Sequence, residues 1–118
     1  MKKTILIVDD EPNIRLLYKD ELSKEGYSVI EAENGSVALQ LLEKQDVHLI
    51  VLDIKMPVMD GLDFLTHLRK SDRKIPVVLC TAYGQHKQDL VSWAADRYIV
   101  KSGDLLELKN SVKELLPV

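Results

Sequence analysis

Three carboxylates stand directly behind two short apolar runs: Asp9 and Asp10 after Ile5-Leu6-Ile7-Val8, and Asp53 after Leu49-Ile50-Val51-Leu52. Each run has the length of a parallel strand buried on both faces, so the acids are expected to emerge together at one edge of a sheet. Gathered acids repel one another. Either some hold protons through raised pKa values, or a cation compensates them. The second remedy makes a metal and phosphate site. Carboxylate oxygens suit a hard cation such as Mg²⁺, which keeps several waters and is commonly completed by a substrate phosphate. A carboxylate can also attack phosphorus and form an aspartyl phosphate. Thr81 and Lys101 follow two further apolar runs, Val77 to Cys80 and Tyr98 to Val100. A hydroxyl and an ammonium thus arrive at the same edge, where they can bind the equatorial oxygens of a transferring phosphoryl group. A single Asp behind a strand is more often a helix cap or a solvated loop residue. Joint placement at four strand ends carries the argument.

Zinc is not indicated. His48, His67 and His86 are dispersed without ligand spacing, and Cys80 is a lone thiol behind Val77-Val78-Leu79, which reads as buried and inert.

The elements that must position these residues alternate between short β-branched runs and longer stretches of helical period, the signature of a parallel sheet with helices on both faces. Strands are expected at Thr4 to Val8, Tyr27 to Ala32, His48 to Leu52, Val77 to Cys80 and Tyr98 to Val100. A helix from Pro12 to about Glu25 has proline suited to its first turn and Gly26 suited to the left-handed residue after its end. Ile14, Leu17, Tyr18 and Leu22 form its buried stripe. Asn34-Gly35 turns into a second helix, Asp60-Gly61 precedes a third with Leu62, Leu65 and Leu68 on one face, and 85–94 reads as a polar, weakly periodic fourth. Asp104 is the expected N-cap of a last helix bearing Leu105, Leu108, Val112 and Leu115. The fold class is therefore α/β, a doubly wound parallel sheet with helices on both faces, and if it is a flavodoxin-like (βα)5 unit its five strands run in the order 2-1-3-4-5. In such a sheet ligands bind beyond the carboxyl ends of the strands, where the order reverses, between the first and third strands.

Size and charge narrow the function further. The 118 residues make one domain, 1–118, with 46% hydrophobic and 30% charged residues, a globular composition. Sixteen basic against nineteen acidic residues give a net charge of −3, which argues against direct nucleic-acid contact. Met1-Lys2-Lys3-Thr4 leads straight into an apolar run too short for a signal-peptide core or a membrane span, so the expected location is cytoplasmic, away from the membrane.

At this point the motifs match a family. Ile-Leu-Ile-Val-Asp9-Asp10-Glu11, then Asp53-Ile-Lys-Met-Pro-Val-Met-Asp60-Gly61, then Thr81-Ala82, and finally Tyr98-Ile-Val-Lys101 resemble the CheY-like receiver domains of bacterial two-component response regulators. The resemblance covers essentially the whole chain, with the motifs in order and at the right distances. It implies that Asp53 accepts a phosphoryl group from a phosphohistidine on a sensor histidine kinase or histidine phosphotransfer protein. It also implies Mg²⁺ ligated directly by Asp10, Asp53 and the backbone carbonyl of Lys55, with Asp9 acting through a metal-bound water. Lys101 then pairs with phosphoryl oxygens, Thr81 swings in to hydrogen-bond one of them, and Tyr98 is the switch aromatic whose ring turns inward as Thr81 moves. The consequence is a signalling switch that takes part in its own phosphotransfer and dephosphorylation, read by a downstream effector protein or a fused output domain.

Two positions depart from the family pattern. Ser102 stands where the family usually has a proline joined by a cis peptide; a cis bond before a non-proline residue costs about 2.5–4 kcal/mol, so a trans Lys101-Ser102 bond and a relaid loop are expected. Ala94-Ala95 replaces a common glycine-alanine pair. Lys55 and Tyr83 flank the phosphoryl position in the family and either shield the acyl phosphate from water or point to solvent. Trp93 is either a partner contact or packed on a neighbouring helix, and Met56 and Met59 are expected to plug the core edge. Three rival readings stay open. A receiver-like binding module that is not phosphorylated is compatible with Ser102. An aspartyl-nucleophile phosphohydrolase would want Asp-x-Asp behind the first strand and usually a cap domain. A flavodoxin-like electron carrier would want a Ser/Thr/Gly-rich loop in place of Asp-Asp-Glu-Pro.

Overall fold

In the computed structural model the described residues are 2–54, 59–71, 74–81, 95–101 and 105–116. Five strands, β1 (Thr4–Val8), β2 (Ser28–Ala32), β3 (Leu49–Asp53), β4 (Val77–Thr81) and β5 (Arg97–Val100), pair in parallel in the order β2-β1-β3-β4-β5. Four helices are described: α1 (Pro12–Lys24), α2 (Gly35–Lys44), α3 (Gly61–Lys70) and α4 (Leu106–Leu115). The expected helix over 85–94 lies outside the described residues, as do Trp93, Tyr83 and Ala94.

Period-two alternation along the strands divides the core into two layers. Leu6, Val8, Ile50, Leu52 and Leu79 face Ala38 and Leu42 of α2 and Phe64, Leu65 and Leu68 of α3. Ile5, Ile7, Leu49, Val51 and Val78 face Tyr18 and Leu22 of α1 and Leu108 and Val112 of α4. Both faces of β1 and β3 are thus covered, which is why residues 5–8 and 49–52 are apolar at every position. Asp9 and Asp53 continue the second series, on the α1 and α4 side.

Local chemistry sets the element ends. Asn34 caps α2 by accepting the Val37 N–H at 2.9 Å, and Asp60 caps α3 by accepting that of Asp63 at 2.9 Å. Gly26, at φ 99°, ends α1 in the left-handed region. Met59 packs against the α2/α3 layer, as expected of a residue plugging the core edge.

Several boundaries differ from expectation. β3 continues through Asp53, which pairs with Cys80 of β4, and β4 takes in Thr81. The apolar-to-polar step in the sequence is therefore not where the ladder ends, because backbone pairing is indifferent to the side chain. Leu17 is 41% exposed. Ile14, Tyr18 and Leu22, four residues apart, form the inward stripe, and Leu17 falls on its flank. The N-cap of α4 is Leu105, with no side-chain cap, in place of the expected Asp104, which lies outside the described residues. Leu105 packs against the α1/α4 layer, so burial rather than capping sets that end.

Candidate functional site

The expected strand-end acids do converge. One carboxylate oxygen from each of Asp9, Asp10 and Asp53 lies within 4.8 Å of the others. Asp9 is 2% and Asp53 6% exposed, whereas Asp10 is open to solvent. Two buried acids under one exposed acid form a funnel of oxygen ligands, a donor set that fits a hard divalent cation and suits neither zinc nor copper.

Asp9 is held at four points. Its N–H donates to the Ala32 carbonyl at 3.1 Å, continuing the β1–β2 pairing. Its Oδ1 accepts the Glu11 N–H at 3.0 Å, and its Oδ2 accepts from Lys101 Nζ at 2.8 Å. Its carbonyl accepts from the Arg15 guanidinium at 2.7 Å. Asp53 Oδ1 accepts the Ile54 N–H at 2.9 Å and lies 3.4 Å from Lys101 Nζ. Lys101, carried past the end of β5, thus sits between the two buried carboxylates with a side chain only 13% exposed.

Two buried acids sharing one ammonium are under-compensated. Burial pushes the Asp53 carboxyl up to about 6, and the charge of Asp9 adds to the rise; Lys101 and the Ile54 N–H oppose it without prevailing. For Lys101 burial alone would pull the pKa down, but the bond to Asp9 and the field of Asp53 outweigh it and hold the ammonium above its usual range. Beneath the acids the Tyr18 hydroxyl lies 4.0 Å from Cys80 Sγ. Burial pushes the Cys80 thiol up to about 12, consistent with an inert core sulfur.

Thr81 ends β4 opposite Val100, and Tyr98 lies in β5 opposite Leu79, half-buried against the α2/α3 layer. Lys55, the expected carbonyl ligand, lies outside the described residues, as do Met56, Ser102 and hence the Lys101-Ser102 peptide. Of the histidines, His48 accepts the Thr4 N–H at Nδ1 at the opposite end of the sheet.

Sequence reading missed two contributors. Arg15 was not singled out, because its acceptor at Asp9 is a backbone carbonyl with no side-chain signature. Gly61 was read only as the end of a loop, yet its N–H donates to the Ile54 carbonyl at 2.7 Å, and a Cβ there would collide with the Asp53 carbonyl. The helix α3 therefore starts flush against the backbone of Asp53, an approach that only glycine permits. Asp60-Gly61 at a helix start, so soon after Asp53, was the available signal.

Residues 5–113 match the response regulator receiver domain family. The chain belongs to that family. As a receiver domain it is 38% identical to sporulation initiation phosphotransferase F of Bacillus subtilis over 120 residues, covering all of this chain and 97% of that protein. It is also 38% identical to the probable transcriptional regulator ycf27 of Cyanophora paradoxa, covering 98% of this receiver chain but only about half (48%) of that longer protein. Among solved structures, the response regulator TrrA of Thermotoga maritima in complex with Mg²⁺-BeF superposes with a TM-score of 0.93 at 49% identity, covering 97% of this chain and 99% of that one. TrrA in its complex with the histidine kinase ThkA gives 0.90 at 48% identity, covering 97% and 98%. The two TrrA structures thus share this fold over 97% of the chain.

Proposed function

We propose that this receiver domain is a phosphoacceptor switch in which Asp53 takes a phosphoryl group from a phosphohistidine of a sensor histidine kinase or histidine phosphotransfer protein. The observation that carries the reading is Asp53 itself, a buried carboxylate aimed by one backbone N–H and one ammonium, with the oxygens of Asp9 and Asp10 beside it. The Oδ–P bond forms as the N–P bond of the phosphohistidine breaks, and the departing imidazole keeps the electron pair. Asp9, Asp10, Asp53 and the backbone carbonyl of Lys55 are the residues proposed to hold Mg²⁺, Asp9 through a metal-bound water. When bound, Mg²⁺ supplies the positive charge that offsets the three acids and draws in the phosphoryl oxygens. Its presence in the complex of TrrA supports this assignment.

Lys101 is already desolvated between Asp9 and Asp53, so it can exchange carboxylate oxygens for phosphoryl oxygens with little reorganisation. Thr81, at the end of β4, is assigned the remaining phosphoryl contact, and Tyr98 the coupled ring movement that changes the outer face of β5. One new dianionic group biasing two side-chain arrangements is what a phosphorylation switch needs. The catalytic share of the domain is its own phosphorylation and dephosphorylation, and its readout is an effector protein or a fused output domain. A kinase partner is supported by the complex of TrrA with ThkA. The proposed setting is the cytoplasm; among the described residues no helix is long and apolar enough to cross a membrane.

Incubation with a small acyl-phosphate donor, followed by intact mass measurement, tests the reading. One phosphate is expected on the wild type with Mg²⁺ and none with chelator or on Asp53→Asn. An unmodified wild type in the presence of Mg²⁺ would overturn it in favour of a receiver-like binding module. Steady turnover of assorted phosphate esters would overturn it in favour of a hydrolase.

A further inference from the structure

The peptide that joins Asp9 to Asp10 has its own fastening. Arg15, on the first turn of α1, donates one guanidinium N–H to the Asp9 carbonyl at 2.7 Å and its Nε–H to Glu31 Oε1 of β2 at 3.2 Å. Glu31 in turn lies 3.4 Å through Oε2 from Lys19, one turn further along α1. The Arg15 side chain is 17% exposed, so the fork lies against the fold rather than in solvent. β2 neighbours β1, with Glu31 opposite Ile7, so the clamp is anchored on the strand beside the one that delivers the acids.

The geometry points to Arg15 as a positioning residue for the Asp9–Asp10 pair. The Asp9 side chain is already bound at both oxygens and its N–H at Ala32, and what these three contacts leave unfixed is the plane of the following peptide, which the Arg15 bond to the Asp9 carbonyl holds. That plane sets the direction in which the Asp10 side chain leaves the backbone. Asp10 is exposed to solvent. Anchoring the Asp9 carbonyl therefore aims the exposed acid at the two buried ones. A fork is required, since one planar group must reach a carbonyl and a carboxylate in fixed relative directions, which a single ammonium cannot reproduce. Glu31 neutralises most of the charge that Arg15 brings, so the pair contributes orientation with little added field.

The inference rests on the reading of Asp9, Asp10 and Asp53 as a Mg²⁺ site, and the sign of one effect tests it. A cation near a metal site repels Mg²⁺, so if Arg15 acted only through its charge, Arg15→Ala would tighten Mg²⁺ binding. Acting through position, it does the reverse. Titration calorimetry with Mg²⁺ alone is expected to show Arg15→Ala weakened roughly tenfold, the usual cost of losing a group that orients a ligand. Arg15→Lys, which keeps the charge but loses the fork, is expected to fall between the variant and the wild type. Thermal melts in chelator identify any variant that fails to fold, and Arg15→Lys then carries the comparison. Wild-type affinity or tighter in Arg15→Ala, or wild-type affinity in Arg15→Lys, overturns the positioning role while leaving the metal site standing. Absence of Mg²⁺ binding by the wild type overturns both.

Discussion

The two ends of the sheet use charged residues in opposite ways. At the amino end, Asp96 Oδ2 accepts the Val77 N–H at 2.8 Å and the Asp96 N–H returns a bond to the Val77 carbonyl at 2.8 Å, locking the starts of β4 and β5 together. Arg69 reaches both Asp96, at 3.4 Å, and the Ile75 carbonyl, at 3.0 Å. His48 exchanges two bonds with Thr4 in the same manner at the starts of β1 and β3, its ring Nδ1 accepting the Thr4 N–H at 3.0 Å and its own N–H donating to the Thr4 carbonyl at 2.8 Å. Charge there is half-solvated and serves the backbone. At the carboxyl end, Asp9 and Asp53 are stripped of water and share one ammonium, so charge is concentrated rather than satisfied. The difference teaches that an ion pair reports structure where its partners complete a backbone ladder, and reports chemistry where burial leaves a surplus of one sign.

The largest effect expected is at the shared ammonium. Lys101→Met leaves two buried carboxylates facing each other and should lower the stability of the metal-free domain at neutral pH by about 3 kcal/mol, read from denaturant midpoints. The same variant should move the Asp53 titration further up, because Lys101 is what opposes the rise.

Asp53→Asn should do the opposite. With its pKa near 6 in the folded chain against 3.8 for the free side chain, Asp53 holds its proton more tightly folded than unfolded. Between about pH 4 and 6 the folded state then carries more protons, so stability falls as pH rises through that window, and the penalty persists at neutral pH. Asp53→Asn should therefore stabilise the metal-free domain by roughly 2–3 kcal/mol at neutral pH, a gain that vanishes near pH 4. A variant equally stabilised at both pH values would break the contrast between the two ends.

The amino end should behave conventionally. Asp96→Ala should lose about 1–2 kcal/mol through the unpaired Val77 N–H and leave Mg²⁺ affinity unchanged by calorimetry. If Mg²⁺ affinity fell with it, the two ends would not be separable. Smallest of all, Lys113→Ala, which removes the 3.5 Å pair between α4 and Glu25, the residue after α1, should change stability by less than ~0.5 kcal/mol.

Much of this was legible beforehand, and what was not has a common cause. The strands and the acids behind them could be read because a run of buried residues followed by charge is a local event, and period two and period 3.6 are local periods. The convergence of Asp9, Asp10 and Asp53 follows from the rules of parallel sheets once the order 2-1-3-4-5 is taken, an order that the local patterns allow but do not fix and that the structure supplies. Boundaries slipped where backbone pairing overran the apolar run, at Asp53 and Thr81, and where burial replaced capping, at Leu105.

The sequence by itself determined which residue types would meet and at which edge, since alternation dictates which way each strand faces and the crossovers dictate where it ends. Only the tertiary structure decided how they would be held. Lys101 meets Asp9 across 92 residues of chain, Arg15 finds a carbonyl rather than a side chain, and Gly61 is demanded by a neighbouring backbone. The physical reason is range: electrostatic balance and hydrogen bonds to the main chain depend on distances of about an ångström that no local pattern encodes. The raised Asp53 pKa is the clearest case, since it arises from burial and from a neighbour forty-four positions away, neither of which is a property of the residue in its own segment.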